Sequence, residues 1–112
     1  MDNLFFKVAT QFSRTPSARN MNEGKAPGED LRALLLPLVK QAISSGQKLI
    51  VDLDGTAGYG TSFLEEVFGG LVRVEKIAAE DLKKHLGLIS FEEPDLLEEI
   101  WYDIDDAQSH EN

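Results

Sequence analysis

The chain has 112 residues, with 20 Asp or Glu against 11 Lys or Arg, a formal charge of −9 and no cysteine. That length holds one core and one domain. The acidity excludes a nucleic-acid backbone or an anionic membrane as partner, since both need clustered Lys and Arg, and the lack of cysteine excludes disulfides and thiol chemistry.

Leu4-Phe5-Phe6-Lys7-Val8-Ala9 is dense in aromatic and β-branched residues and predicts a first strand. From Ser13 to Gly28 no period emerges, and the stretch reads as a long loop. A helix follows. Glu29 and Asp30 suit its first turn, and Leu31, Leu35, Leu38, Val39 and Ala42 make one apolar stripe. Pro37 falls on its polar face, and Gly46 can end it in a left-handed conformation. Lys48 to Asp54 reads as a central strand; Leu49, Ile50, Val51 and Leu53 nearly fill it, which predicts burial on both faces.

Gly55 to Gly60 is a turn with three glycines. The next helix is predicted from about Ser62 to Arg73, with Leu64, Val67, Phe68 and Leu71 as its stripe. Its Gly69-Gly70 pair costs about 1 kcal/mol per residue against Ala, and close packing on the sheet is the expected compensation. Val72 to Ile77 reads as a short strand or a continuation of that helix. A short helix over Ala79 to His85, a strand over Leu86 to Phe91 and a last helix over Pro94 to Ile104 complete the order. Trp101 falls on the inner stripe of the last helix.

This alternation predicts an α/β sandwich, with about four strands in a mostly parallel sheet and helices mainly on one face. One domain over 1–107 would carry an acidic tail at 108–112. Glu92 to Asn112 contains nine Asp or Glu and no Lys or Arg, which reads as a solvated face and tail. The longest apolar run, Leu34 to Val39, is far too short to span a bilayer. Met1-Asp2-Asn3 lacks the basic start of a secretion signal. A cytoplasmic protein is expected.

Ligands and partners of such sheets meet the C-terminal ends of the strands, here Asp54 to Ser62. Ser62 and Glu65 have the spacing of a capping box, so Ser62 is the expected N-cap and Thr61 the outward hydroxyl. A helix start with free N–H groups suits a phosphate. Arg14 and Arg19, in the long loop, have the chemistry to receive one. His85 and His110 lack second ligands at metal spacing, and neither metal nor cofactor is expected.

Two resemblances arise on these residues. Leu49-Ile50-Val51-Asp52-Leu53-Asp54-Gly55-Thr56 resembles the first motif of the haloacid-dehalogenase phosphatases. That resemblance implies Asp52 as nucleophile, Asp54 as general acid–base and magnesium between them. The family's later Ser/Thr, Lys and acidic pair are not evident in the 58 residues that follow Asp54.

The second covers more of the chain. Gly46 to Leu71, with the buried Val51-Asp52-Leu53 strand followed by Thr61-Ser62-Phe63-Leu64-Glu65-Glu66-Val67-Phe68-Gly69, resembles the STAS-like domains of unknown function, relatives of the anti-sigma-factor antagonists. The proline within Leu36-Pro37-Leu38 and the upstream Arg19 also fit. The resemblance implies a non-catalytic partner-switching module that binds a protein, with a GHKL-type kinase or ATPase as the partner class. Tyr59, Gly60, Phe63, Glu65, Glu66, Asp54 and Arg19 would form the partner surface. By position the acceptor Ser of the antagonists matches Thr61, followed by Ser62. Gly60 replaces their preceding Asp and Phe63 their small residue, so binding without phosphorylation stays open. Self-association as a homodimer through the first strand is a third reading.

Overall fold

A computed structural model describes residues 2–17 and 27–111. Strands β1 (Leu4–Lys7), β2 (Leu49–Asp52) and β3 (Leu86–Ile89) form a parallel three-stranded sheet in the order β1-β2-β3. Phe5 pairs with Ile50 and Ile50 with Gly87; one row on, Lys7 pairs with Asp52 and Asp52 with Ile89. The described residues thus hold three strands rather than about four.

The region that would have supplied a fourth is a helix end and its turn. Lys76 adopts a left-handed backbone at φ 62°. Its N–H and that of Ile77 bond back to the carbonyls of Val72 and Leu71. Those main-chain groups are spent on the turn and cannot pair with a strand. The first strand is likewise shorter than its composition suggests, because Val8–Gln11 closes a helical turn, α1.

Helix α2 runs Pro27–Ser45, with Pro27 at its first turn, where the missing N–H costs nothing. Leu31, Leu35, Val39 and Ala42 are buried and Pro37 is exposed, as the stripe predicts. Gly46 ends the helix at φ 68°. Helix α3 occupies residues 61–73 in three continuous pieces: α-helical Thr61–Leu64, a π turn over Glu65–Gly69, and α-helical Gly70–Arg73. Helices α4 (Ala79–His85) and α5 (Asp95–Ser109) follow, giving five helices among the described residues. The last helix outruns its predicted end at Ile104, because Ala107 remains buried and continues the stripe of Ile100 and Ile104.

The π turn follows from the apolar spacing. The buried pairs Phe63/Leu64, Val67/Phe68 and Leu71/Val72 recur every four residues. An α-helix turns about 400° in four residues, so such a pattern drifts off the core. One wider turn brings the third pair back into line.

The core lies between the sheet and the helices. Phe6, Leu49, Val51 and Leu86 contribute to it from the strands, with Leu4 and Leu88 packed beside them. The alternate residues Phe5, Ile50, Gly87 and Ile89 do not. They face away, and Phe5 is 69% exposed. The helices therefore cover one face, and the expectation that β2 is buried on both is corrected. The apolar run in β2 arises because Leu53, beyond the strand, is buried in the turn while Ile50 is only half-covered. Among the described residues no helix is long and apolar enough to cross a membrane.

Candidate functional site: the turn between β2 and α3

The C-terminal strand ends converge on the 53–60 turn. Lys7 Nζ at the end of β1 sits 3.1 Å from Asp52 Oδ2 and 3.4 Å from the Asp54 carbonyl. The other Asp52 oxygen accepts the Asp54 N–H at 2.9 Å, a turn that bends the chain off the strand. The Asp54 carboxylate accepts the N–H groups of Phe91 and Glu92, at 3.1 and 3.0 Å, in the loop after β3. Glu92 returns the contact by accepting the Gly55 N–H at 2.7 Å. Gly55 has φ 89°, and a side chain there would also meet Ala9 Cβ.

Both carboxylates that resemble a phosphatase motif are thus engaged in holding the turn. Among the described residues no three His, Asp or Glu are grouped so as to hold a metal ion.

The far end of the turn is pinned as firmly. The Tyr59 hydroxyl donates to the Leu53 carbonyl at 2.7 Å. Burial, aided by the charges of Asp52, Asp54 and Glu92 and opposed by a bond to Thr56, pushes the phenol up to about 12. The Tyr59 ring packs on Phe63 at 6.0 Å and Phe63 on Phe12 at 6.5 Å, centroid to centroid. Ala57 N–H bonds the Arg14 carbonyl, and Gly60 N–H bonds Ser17 Oγ at 2.8 Å.

Thr61 and Ser62 are both exposed at the start of α3. The N-cap is Gly60, so the capping-box reading of Ser62 and Glu65 is corrected: Ser62 is the second residue inside the helix. The Gly60 amide is satisfied by Ser17, which lies outside the local sequence window that suggests a capping box. Among the described residues neither the Thr61 nor the Ser62 hydroxyl has a hydrogen-bond partner, although Phe63 beside them is buried. Phe63 is therefore the support under this surface rather than part of it. Arg19 lies outside the described residues.

Glu65 and Glu66 are half-buried and already paired. Arg73 grips the Glu65 carboxylate with both terminal nitrogens. Arg32, on α2 and 7% exposed, reaches the Glu66 carboxylate at 2.9 Å, the Glu66 carbonyl at 2.5 Å and Glu75 at 3.0 Å. Burial pulls its guanidinium down, and the bonds to Glu66 and Glu75 more than offset this and leave it raised. The carbonyl is open to Arg32 because the Gly70 amide bonds Glu65 and Val67 carbonyls across the π turn.

Gly69 and Gly70 make this possible. A Cβ at Gly70 would collide with the Arg32 guanidinium and one at Gly69 with the Glu65 carboxylate. A Cβ at Gly28 would meet Glu66 Cβ at 2.7 Å. The glycines thus make room for ion pairs, not for the sheet as expected. Sequence reasoning passed over Arg32, Lys7, Ser17 and Glu92. Arg32 alone left a trace, being a charge beside the apolar Leu31 stripe.

The chain matches the family model described as STAS-like domain of unknown function (DUF4325) over residues 27–96, well over half its length. It belongs to that family. The STAS-like match starts after Arg19 and continues past Arg73 through β3 to the first turn of α5, further than the strand–turn–helix string alone suggests. It spans the α2–α3 contact built on Arg32 as well as the 53–60 turn. No curated protein and no solved structure matches the chain.

Proposed function

We propose that this STAS-like domain is a non-catalytic regulatory module that binds a protein partner at the 59–66 turn and helix start. The observation that carries this reading is the pair of exposed hydroxyls, Thr61 and Ser62, at the start of α3 on a turn fixed from three sides. A preorganised backbone lowers the ordering cost of binding. The partner class is a GHKL-type kinase or ATPase, carried over from the resemblance to the anti-sigma-factor antagonists. Thr61 is the first residue of the helix, where a phosphate gains from the free N–H groups and the helix dipole while adding charge to the docking surface.

The test is calorimetric titration of the full chain against a purified GHKL-type ATPase, with mass spectrometry after addition of ATP. Thr61→Ala is expected to bind as wild type does and Thr61→Glu at least about tenfold more weakly, by like-charge repulsion at a desolvated surface. Equal binding by both variants, or none by the wild type, would dispose of the reading.

A further inference from the structure

The loop between β3 and α5 is tied down on both sides. Asp54 accepts the N–H groups of Phe91 and Glu92, Glu92 accepts the Gly55 N–H, and Ser90 Oγ donates to the Glu93 carbonyl at 2.6 Å. Helix α5 begins at Asp95, directly behind it. The side chain this loop presents is apolar: Phe91 is 84% exposed, the most exposed large hydrophobic among the described residues. Apolar side chains scattered over a surface are ordinary. This one differs in standing on a backbone bonded to the turn that carries the candidate site.

The loop and the 59–66 surface are continuous. A Cβ at Gly58 would lie 3.8 Å from Glu93 Oε1, and Gly58 is three residues before Thr61. At about 3.5 Å of chain per residue, Phe91 and Thr61 lie within about 28 Å of each other. One interface of about 800 Å² per side, roughly 30 Å across, spans both. The three segments at this end of the sheet, 12–17, 53–60 and 90–95, hold Asp54, Glu92, Glu93 and Asp95 against one cation, Arg14. Glu92, Glu93 and Asp95 are exposed and have no ion pair among the described residues.

We propose that Phe91 is the apolar anchor of the partner complex, entering a pocket on the partner whose rim carries Lys or Arg beside Glu92 and Glu93. The inference rests on the reading of 59–66 as a docking surface, and it adds the other half of that surface and the chemistry of what binds there. A buried aromatic anchor dominates binding energy, while charges around it set partner choice and association rate. The fixed loop lowers the ordering cost. The Thr61–Ser62 end carries no charge of its own, so the partner's cations belong to the 91–95 end alone.

Calorimetric titration of the full chain against the same purified GHKL-type ATPase tests this. Circular dichroism and the exchange protection of the Phe91 and Glu92 amides check that fold and loop are intact. Phe91→Ala should raise the dissociation constant at least about tenfold, and Phe91→Leu, which keeps an apolar side chain, should recover part of the loss. Glu93→Lys should raise it several-fold at low salt and by less in 0.5 M NaCl. Wild-type binding that Phe91→Ala leaves unchanged overturns the anchor and leaves the 59–66 reading standing. Binding that depends on Phe91 but is indifferent to Glu93→Lys and to salt overturns the basic rim. No binding by the wild type overturns both this inference and the reading beneath it.

Discussion

Arg32 Nη1 on α2 donates to both the main-chain oxygen and the carboxylate of Glu66 on α3, at 2.5 and 2.9 Å. One buried side chain thus ties the longest helix to the π turn of the helix that starts at the candidate site. Its charge is balanced by Glu66 and Glu75, and its space is provided by Gly70.

Truncating this side chain leaves Glu66 with an unpaired carbonyl and a half-buried carboxylate. Arg32→Ala should cost about 3 kcal/mol in urea unfolding. Arg32→Lys should recover less than half of that, since an ammonium cannot serve Glu66 and Glu75 together in the fork geometry.

Gly70→Ala offers a test by sign. In an ordinary helix interior the change would stabilise by about 1 kcal/mol. Here the new methyl meets the Arg32 guanidinium, and the variant should be less stable than wild type by about 1–3 kcal/mol. In an Arg32→Ala background the obstacle is gone, and the same change should become neutral or stabilising. A four-member cycle of denaturation curves reads the coupling.

Asp103 on α5 is 7% exposed and its Oδ2 has no hydrogen-bond partner. Burial, with the nearby charges of Glu65, Glu99 and Asp106, pushes its carboxyl up to about 6 from 3.8. A carboxyl raised on folding contributes stability that is complete below its unfolded value and lost as pH rises through the folded one. Between about pH 4 and 7 the wild type should therefore lose stability relative to Asp103→Asn. At pH 8 the variant should be the more stable, on the order of 1 kcal/mol after screening by solvent. Thermal melts of both proteins from pH 4 to 8 would show the wild type falling relative to the variant.

Asp54 holds the loop after β3 through two main-chain N–H groups. Asp54→Ala should cost about 2 kcal/mol and speed amide exchange at Phe91 and Glu92, with the β2–β3 amides protected as before. Hydrogen exchange read residue by residue separates this local loosening from a global loss.

Short-range patterns were legible in the sequence; partners distant along the chain were not. The α2 stripe, the left-handed Gly46, the strand at Leu49 and the helix at 61–73 follow from spacing and turn chemistry. The capping box misled because Gly60 finds its partner in Ser17, 43 positions away. Gly69-Gly70 misled because Arg32 stands 38 positions before Gly70. Of the two readings of 72–77 the helix end holds and the strand does not, because Lys76 adopts a backbone usually left to glycine. Of the site itself, Thr61 was legible as an exposed hydroxyl, whereas the exposure of Ser62 and the pairing of Glu65 and Glu66 with Arg73 and Arg32 depend on contacts that the local pattern does not carry.

The π turn also bears on how α3 would respond to losing a residue. Removing Glu65 or Glu66 would respace the apolar pairs from intervals of four and four to three and four, the rhythm of a regular amphipathic helix. The core therefore sets no requirement for the additional residue. What a shortened helix would give up is the diverted carbonyl that Arg32 occupies. Shortening and Arg32 truncation should thus be redundant lesions, each removing much of what the other would have cost.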